Sequence, residues 1–111
     1  MTGRARAELA LSEADFQRRV IDLAKLRGWK VAHYRPAKGP KGAWSTPVTG
    51  HAGAPDLILA RDGEVILAEL KSETGRLSAE QRQWLDALGD HGYLWRPSDW
   101  DEVREVLEVL S

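Results

Sequence analysis

The sequence predicts an α/β domain with a central mixed sheet flanked by helices, in the order α-β-β-β-α-β-α. Three observations support this fold class: apolar residues recur at helical spacing in three stretches, two apolar runs flank an Asp62-Gly63 turn, and 111 residues suit one domain. We therefore predict a single domain over residues 1–111, with residues 1–11 as a flexible extension.

The first helix is predicted from Ser12 to about Arg27. Ser12 and Asp15 have the spacing of a capping box, and Gly28 supplies the stop. One face of this helix is apolar and should be buried, and it consists of Phe16, Val20, Leu23 and Ala24. Glu13 and Gln17 fall beside that face, so two polar groups are expected at its edge.

A strand from Trp29 to Tyr34 is followed by a segment, residues 35–53, that is rich in Gly and Pro and lacks apolar periodicity. We predict a loop. Its basic and aromatic side chains are Arg35, Lys38, Lys41 and Trp44. Such a stretch could follow a phosphate backbone and stack on a base, or it could be a solvated connection, and both interpretations remain open.

The two apolar runs Asp56–Arg61 and Glu64–Lys71 are predicted to form a hairpin, because Asp-Gly between such runs favours a two-residue turn. Apolar residues on both faces of these strands indicate cover on both sides of the sheet. In this register Asp56 lies opposite Glu69, and Lys71 shares their face.

The rest of the chain predicts a helix, a short strand and a final helix. Ser78 should cap the second helix, which ends at Gly89 or Gly92, and the strand covers Tyr93–Arg96. Ser98 or Asp99 should cap the final helix. The residues at helical spacing in the second helix are Gln81, Trp84, Leu85 and Leu88, and the inward residues of the last helix are Val103, Val106, Leu107 and Leu110.

Composition excludes several classes of protein. No apolar run approaches the roughly 20 residues of a membrane helix, and no secretory stretch opens the chain, so an intracellular, cytoplasmic location is expected. The absence of cysteine excludes disulfides and thiolate metal sites. Residues 1–41 carry ten Lys/Arg against four Asp/Glu, whereas residues 42–111 carry six against thirteen. A basic face could thus adjoin an acidic pocket, unless folding intermixes the charges.

The opposed carboxylates of Asp56 and Glu69 need a positive partner, since like charges at such separation destabilise a sheet. Lys71 could supply it in a purely structural salt bridge. Alternatively, the pair binds a hard divalent cation, because Mg²⁺ prefers carboxylate oxygen together with water and phosphate oxygen. The residues alone leave both interpretations open.

The runs Gly53-Ala54-Pro55-Asp56-Leu57 and Glu69-Leu70-Lys71 resemble the Pro-Asp and Glu-x-Lys signature of the restriction-endonuclease-like PD-(D/E)XK superfamily. Glu13 and Gln17 precede them, and Leu77-Ser78-x-x-Gln81-x-x-Trp84 follows. The whole set, from residue 12 to about 96, resembles the virus-type replication-repair nuclease (VRR-NUC) family.

This resemblance implies a Mg²⁺ or Mn²⁺ site in which Asp56, Glu69, the backbone carbonyl of Leu70 and Glu13 are ligands. Lys71 would be the catalytic lysine, and Gln81 and Glu13 would complete the catalytic set. As an alternative to a catalytic role, Glu13 could be an acidic residue in the first turn of a helix that is stabilised there by the helix dipole. Gln81 could likewise belong only to the capping box of the second helix. The predicted DNA-binding residues are Gln17, Arg35, Lys38, Lys41 and His51. His33 and His51 have no partner at metal-ligand spacing and are left out of the catalytic set.

The resemblance further implies a structure-specific DNA endonuclease in replication, repair or recombination, with Holliday-junction resolution, flap or nick processing and restriction as open specificities. The expected partners are branched or structured DNA and a second copy of the chain, in a bacterial or phage-infected cell, with neither a membrane nor a small-molecule cofactor. Trp95, Trp100 and the final helix are candidates for the dimer surface, with core packing as the alternative. The rival function is a catalytically silent nucleic-acid-binding module of the same fold.

Overall fold

A computed structural model describes residues 9–34, 37–38, 44–45 and 50–109, with the backbone alone at 37, 38, 44, 45 and 109. Within these residues the helices are α1 (Glu13–Leu26), α2 (Ala79–Leu88) and α3 (Trp100–Val109). The strands are β1 (Lys30–His33), β2 (Ala37–Lys38), β3 (Trp44–Ser45), β4 (Leu57–Arg61), β5 (Glu64–Leu70) and β6 (Gly92–Trp95). Short 3₁₀ turns, Gly89–His91 and Pro97–Asp99, flank β6.

Helix α1 begins where the sequence predicts. The Ser12 hydroxyl accepts a hydrogen bond from the Asp15 backbone N–H at 3.1 Å, and Gly28 follows the last turn with a φ of +86°. The buried residues of the helix are Phe16, Gln17, Val20 and Ala24. The predicted apolar face is therefore confirmed, and the polar Gln17 is buried with it.

The main sheet has four strands in the order β1-β4-β5-β6. The first three are antiparallel neighbours, and β6 runs parallel to β5. The predicted hairpin register is confirmed from Arg61↔Glu64 through Leu57↔Ala68. Asp62 and Gly63 have φ values of +50° and +83°, the positive φ that a type I′ turn needs at both positions.

The core lies on one face of this sheet, beneath α1 and α3, which contact each other. Leu57 and Leu59 of β4 are fully buried there, whereas Ile58 and Ala60 on the opposite face are half-buried. The remaining core residues are Phe16, Val20, Ala24, Trp29, Ile66, Ala68, Leu70, Trp95, Val103 and Leu107. The second face, which is also predicted to be covered, is less completely buried among the described residues.

The predicted loop at residues 35–53 is wrong in one respect, because it contains a two-stranded antiparallel sheet, β2 with β3. Strands of two residues are too short to produce an alternating apolar pattern, so periodicity could not reveal them. The predicted DNA ligands Arg35 and Lys41 lie outside the described residues. Lys38 is placed in β2 by its backbone only.

The later elements follow the prediction with shifted ends. Gly89 ends α2, β6 starts one residue early at Gly92, and Trp100 begins α3 after the Pro97–Asp99 turn. Val103 and Leu107 are buried, while Leu110 lies outside the described residues. In the part of the chain that is described, no helix has the length and apolar character needed to cross a membrane.

Trp95 is fully buried in the core, so its candidacy for a dimer surface is wrong. Its position in β6, next to the central strand β5, explains this burial. Trp100 is half-buried, and the Arg19 guanidinium lies 4.2 Å from the centre of its ring. Core packing therefore accounts for Trp95.

Candidate active site

The predicted catalytic residues meet at one end of the main sheet. Asp56 immediately precedes β4, Glu69 is the penultimate residue of β5, and Lys71 follows β5. The Tyr34 backbone N–H donates to the Asp56 carbonyl oxygen at 2.8 Å, which ties this end of β1 to Asp56. Antiparallel pairing of β4 with β5 thus brings residues 13 positions apart in sequence to the same place.

The two carboxylate oxygens of Asp56 differ in their surroundings. Oδ2 accepts a hydrogen bond from Gln17 Nε2 at 3.0 Å and lies 3.9 Å from His33 Nε2. Oδ1 is buried and has no hydrogen-bond partner among the described residues. A buried carboxylate oxygen without a donor is costly, so Oδ1 is a natural position for a cation.

Glu69 is held by Gln81 and Lys71. Its Oε1 accepts from Gln81 Nε2 at 2.8 Å and lies 3.5 Å from Lys71 Nζ. The carbonyl Oε1 of Gln81 in turn accepts from the Ser78 backbone N–H at 2.9 Å. Gln81 therefore completes the capping box of α2 and contacts a predicted metal ligand with the other half of the same amide.

Both carboxyl groups hold their protons more tightly than usual. Burial raises the pKa of Asp56 from 3.8 to about 6, against the lowering effect of nearby backbone amides, with a further rise from Glu13. Burial and then the charge of Asp56 raise the pKa of Glu69 from 4.5 to about 7, while Lys71 lowers it. Without more positive charge than Lys71 supplies, the pair is not comfortably ionised at neutral pH.

Gly53 explains why the motif before Asp56 contains glycine. Its φ is +94°, and a Cβ there would lie 2.7 Å from the Glu80 carbonyl carbon and 2.9 Å from the Gln81 nitrogen. Trp84 Nε1 also donates to the Ala52 carbonyl at 3.0 Å. The segment leading to Asp56 thus packs directly on the first turn of α2, which brings Gln81 to the site.

Strand geometry directs the Leu70 carbonyl toward Asp56. The Lys71 backbone N–H donates to Trp95 on β6 at 3.1 Å. Because successive peptide groups alternate along a strand, the N–H and C=O of Leu70 face the β4 side, where Asp56 lies. The Leu70 amide accordingly lowers the pKa of Asp56.

The donor set fits a hard divalent cation, since it consists of carboxylate and carbonyl oxygens with one oxygen left unpartnered. Within the described ranges no three His, Cys, Asp or Glu side chains converge closely enough to form a complete metal cluster. Glu13 is exposed in the first turn of α1, yet its charge raises the pKa of both Asp56 and Glu69. Its role as a ligand stays a prediction.

The predicted DNA ligands are dispersed. Gln17 is 8% exposed, and its side-chain amide donates a hydrogen bond to Asp56. Gln17 therefore positions that carboxylate. His51 is exposed, and its backbone carbonyl accepts from Trp84 Nε1 at 3.3 Å. DNA contact by either residue stays a prediction.

His33 is the residue that sequence reasoning missed. Its side chain is 13% exposed and approaches Asp56. The pairing of His33 with Leu57 creates this proximity, but a connection of more than twenty residues separates β1 from β4, so no turn fixes the register in advance. No local sequence signal could have found it.

Comparison with known proteins gives one match. The model of the VRR-NUC domain family matches residues 41–96, half of the chain, including Gly53, Asp56, Glu69, Lys71 and Gln81. Glu13, Gln17 and His33 lie before the matched range. Neither the curated proteins nor the solved structures contain a significant match. The spacing of the matched motifs, and their convergence at one end of a restriction-endonuclease-like sheet, agree with this result: the chain belongs to the VRR-NUC domain family, a nuclease-type family whose substrate is nucleic acid.

Proposed function

We propose that the protein is a Mg²⁺- or Mn²⁺-dependent DNA endonuclease that hydrolyses phosphodiester bonds with Asp56, Glu69 and Lys71. The observation that carries the proposal is the asymmetric Asp56 carboxylate, which has one oxygen fixed by Gln17 and one buried oxygen without a described partner. A salt bridge with Lys71 would not require this arrangement, because the Lys71 ammonium approaches Glu69.

The residues of the site would have three different roles in this reaction. Asp56, Glu69 and the Leu70 carbonyl would hold the cation, and Gln17 and Gln81 fix the two carboxylates in their orientations. When bound, the cation would supply positive charge to the phosphate and make a water molecule more acidic. The Lys71 ammonium adds a second positive charge where negative charge develops on the phosphate oxygens.

Hydrolysis itself needs no covalent enzyme intermediate. Water forms the new bond to phosphorus and gives up a proton, the bond to the leaving oxygen breaks, and the leaving group takes up a proton. Glu69 and Asp56 retain protons to higher pH than ordinary carboxyl groups, so cation binding and proton release are expected to be linked.

The test is cleavage of end-labelled duplex, flap, nicked and four-way DNA with Mg²⁺, Mn²⁺ or chelator, beside Asp56→Asn as the inactive variant. We expect metal-dependent products that are absent with chelator and with the variant. Metal-dependent binding of DNA without any cleavage would instead favour the silent binding module, and equal cleavage by Asp56→Asn would show that the assignment of Asp56 is wrong.

We further propose that branched DNA is the preferred substrate and that two copies of the chain act together. A domain of this size has little surface for reading base sequence, and a twofold dimer would present two sites to the two symmetric cuts of a four-way junction. Light scattering of the purified chain, alone and with a junction, measures the assembly. A monomer that cuts simple duplex as fast as junctions would contradict this specificity.

A further inference from the structure

A basic pocket lies beside the candidate active site and is lined in part by the segment that follows Lys71. Residues 73–77 line it together with Arg82 of α2 and Leu94 and Arg96 at the end of β6. Three arginines, Arg76, Arg82 and Arg96, thus surround one opening, against the single acid Glu73. The pocket is therefore positively charged at neutral pH.

The wall of this pocket is held in a fixed shape. Arg96 Nη1 donates to the backbone carbonyls of Ser72 at 2.8 Å and Gly75 at 2.6 Å. The Ser98 backbone N–H donates a hydrogen bond to Glu73 Oε2 at 3.0 Å. One carboxylate oxygen of the acidic residue that lines the pocket is therefore already engaged. A wall fixed before any ligand arrives reduces the entropy lost on binding.

Among the described residues, no carboxylate forms an ion pair with the three guanidinium groups of the pocket. The Arg96 contacts at Nη1 are to neutral carbonyls. Arg76 and Arg82 are exposed, and within residues 50–109 their guanidinium groups form neither an ion pair nor a hydrogen bond. Guanidinium groups in this state are suited to phosphate, which they can bind through two parallel N–H groups.

The pocket adjoins the catalytic lysine. A Cβ placed on Gly75 would lie 3.5 Å from both Cβ and Cδ of Lys71, so Gly75, which lines the pocket, also packs against the Lys71 stem. The pocket therefore lies next to the lysine that the proposed function places at the phosphate that is cut.

We propose that this pocket is a second phosphate subsite that binds, through Arg76 and Arg82, a phosphate of the same DNA strand that is cut. The inference rests on the proposed nuclease function and adds to it a contact that sets which bond is presented to Asp56 and Glu69. The phosphate could be internal to the strand or terminal, and the experiments below separate the two.

The first experiment measures binding without cleavage. Arg76→Ala/Arg82→Ala is compared with Arg18→Ala/Arg104→Ala, which removes the same charge from exposed arginines of α1 and α3. Fluorescence anisotropy with duplex and four-way DNA in chelator, over a range of salt, gives the slope of log K against log salt. We expect the pocket variant to lower that slope by about 1.8, from about 0.9 per lost contact, and the control by much less. Equal losses in the two variants would overturn the subsite.

The second experiment locates the phosphate. Single methylphosphonates, which are neutral, replace each phosphate near the cut in turn, and matched substrates carry either a terminal phosphate or a terminal hydroxyl. At one position the neutral group should slow single-turnover cleavage by the wild type at least about tenfold, the scale of a lost hydrogen bond to a charged group, and should have little effect on the pocket variant. An internal position identifies a backbone subsite, and a terminal one identifies an end-binding subsite.

The proposal is wrong if no position, internal or terminal, affects the wild type more than the pocket variant. Melting temperatures of both double variants show whether either has lost its fold. If the wild type fails to cleave any substrate with either metal, the proposed nuclease function is wrong, yet the salt slopes still report on phosphate binding by Arg76 and Arg82. The two failures are therefore distinguishable.

Discussion

The raised pKa values of Asp56 and Glu69 predict that the metal-free protein loses stability as the pH rises from about 4 to about 7. In the unfolded chain the two groups titrate near 3.8 and 4.5, and in the folded chain at about 6 and about 7. Between these values the folded state binds more protons than the unfolded state. Stability conferred at acidic pH is therefore lost between about pH 4 and about pH 7.

The size of this loss follows from the same pKa values. A difference of about two pH units corresponds to about 3 kcal/mol for each group. Because the charge of Asp56 contributes to the raised pKa of Glu69, the two effects are not independent, and the pair together should cost about 3 to 5 kcal/mol, less than twice the single value. A small domain is stable by only about 5–15 kcal/mol, so the effect is measurable.

The assay is urea denaturation followed by circular dichroism in chelator, at several pH values from about 5 to about 8. Glu69→Gln should flatten the pH dependence, whereas Asp86→Asn, an exposed position on α2, should leave it unchanged. Burial also raises the pKa of Glu102, which adds to the pH dependence of stability. Glu102 is present in both the wild type and Glu69→Gln, so its contribution cancels when the two proteins are compared. Saturating Mn²⁺ should restore stability above pH 7. Equal slopes in the wild type and Glu69→Gln would refute the reasoning.

Three further variants test the site. Lys71→Met should still bind Mn²⁺, as measured by the rise in melting temperature, while single-turnover cleavage falls by about 10² or more, and an undiminished rate would remove Lys71 from the mechanism. Gln17→Leu should reduce the Mn²⁺-induced rise in melting temperature, because Asp56 loses its hydrogen-bond donor. The control Gln83→Leu, at an exposed position on α2, should leave that rise unchanged. Equal rises in the two variants would mean that Gln17 contributes only packing. Gly53→Ala should destabilise the fold by at least about 2 kcal/mol, more than Gly28→Ala, which shares a positive φ but meets no atom within 4 Å, and equal losses would refute the role of close packing on α2.

The sequence predicts the site best where local rules fix geometry. The Asp62-Gly63 turn determines the register of β4 and β5, and that register brings Asp56, Glu69 and Lys71 together. Ser78 and Gln81 form the two reciprocal hydrogen bonds of the capping box that their spacing predicts. These are interactions between residues close in sequence or joined by a tight turn.

The contacts that could not be predicted join distant segments. Gln17 reaches Asp56 across 39 residues, and His33 does so only because β1 pairs with β4. The arginine pocket depends on Arg96 holding residues 72–75, a tertiary contact with no periodic signature. Such contacts depend on how the elements pack, which neither spacing nor composition encodes.

Helix α2 has no fully buried residue, and it is attached both by Leu85 and Leu88, which pack against Gly92 of β6, and by polar contacts of its first turn. One of these is Gln81, whose amide is shared between Ser78 and Glu69. Protonation of Glu69, or its binding to a cation, should therefore change the strength of the Gln81–Glu69 hydrogen bond that joins α2 to the sheet. The backbone amides of α2 should exchange with deuterium at a rate that depends on occupancy of the site, which makes this helix an internal reporter of events at the carboxylates.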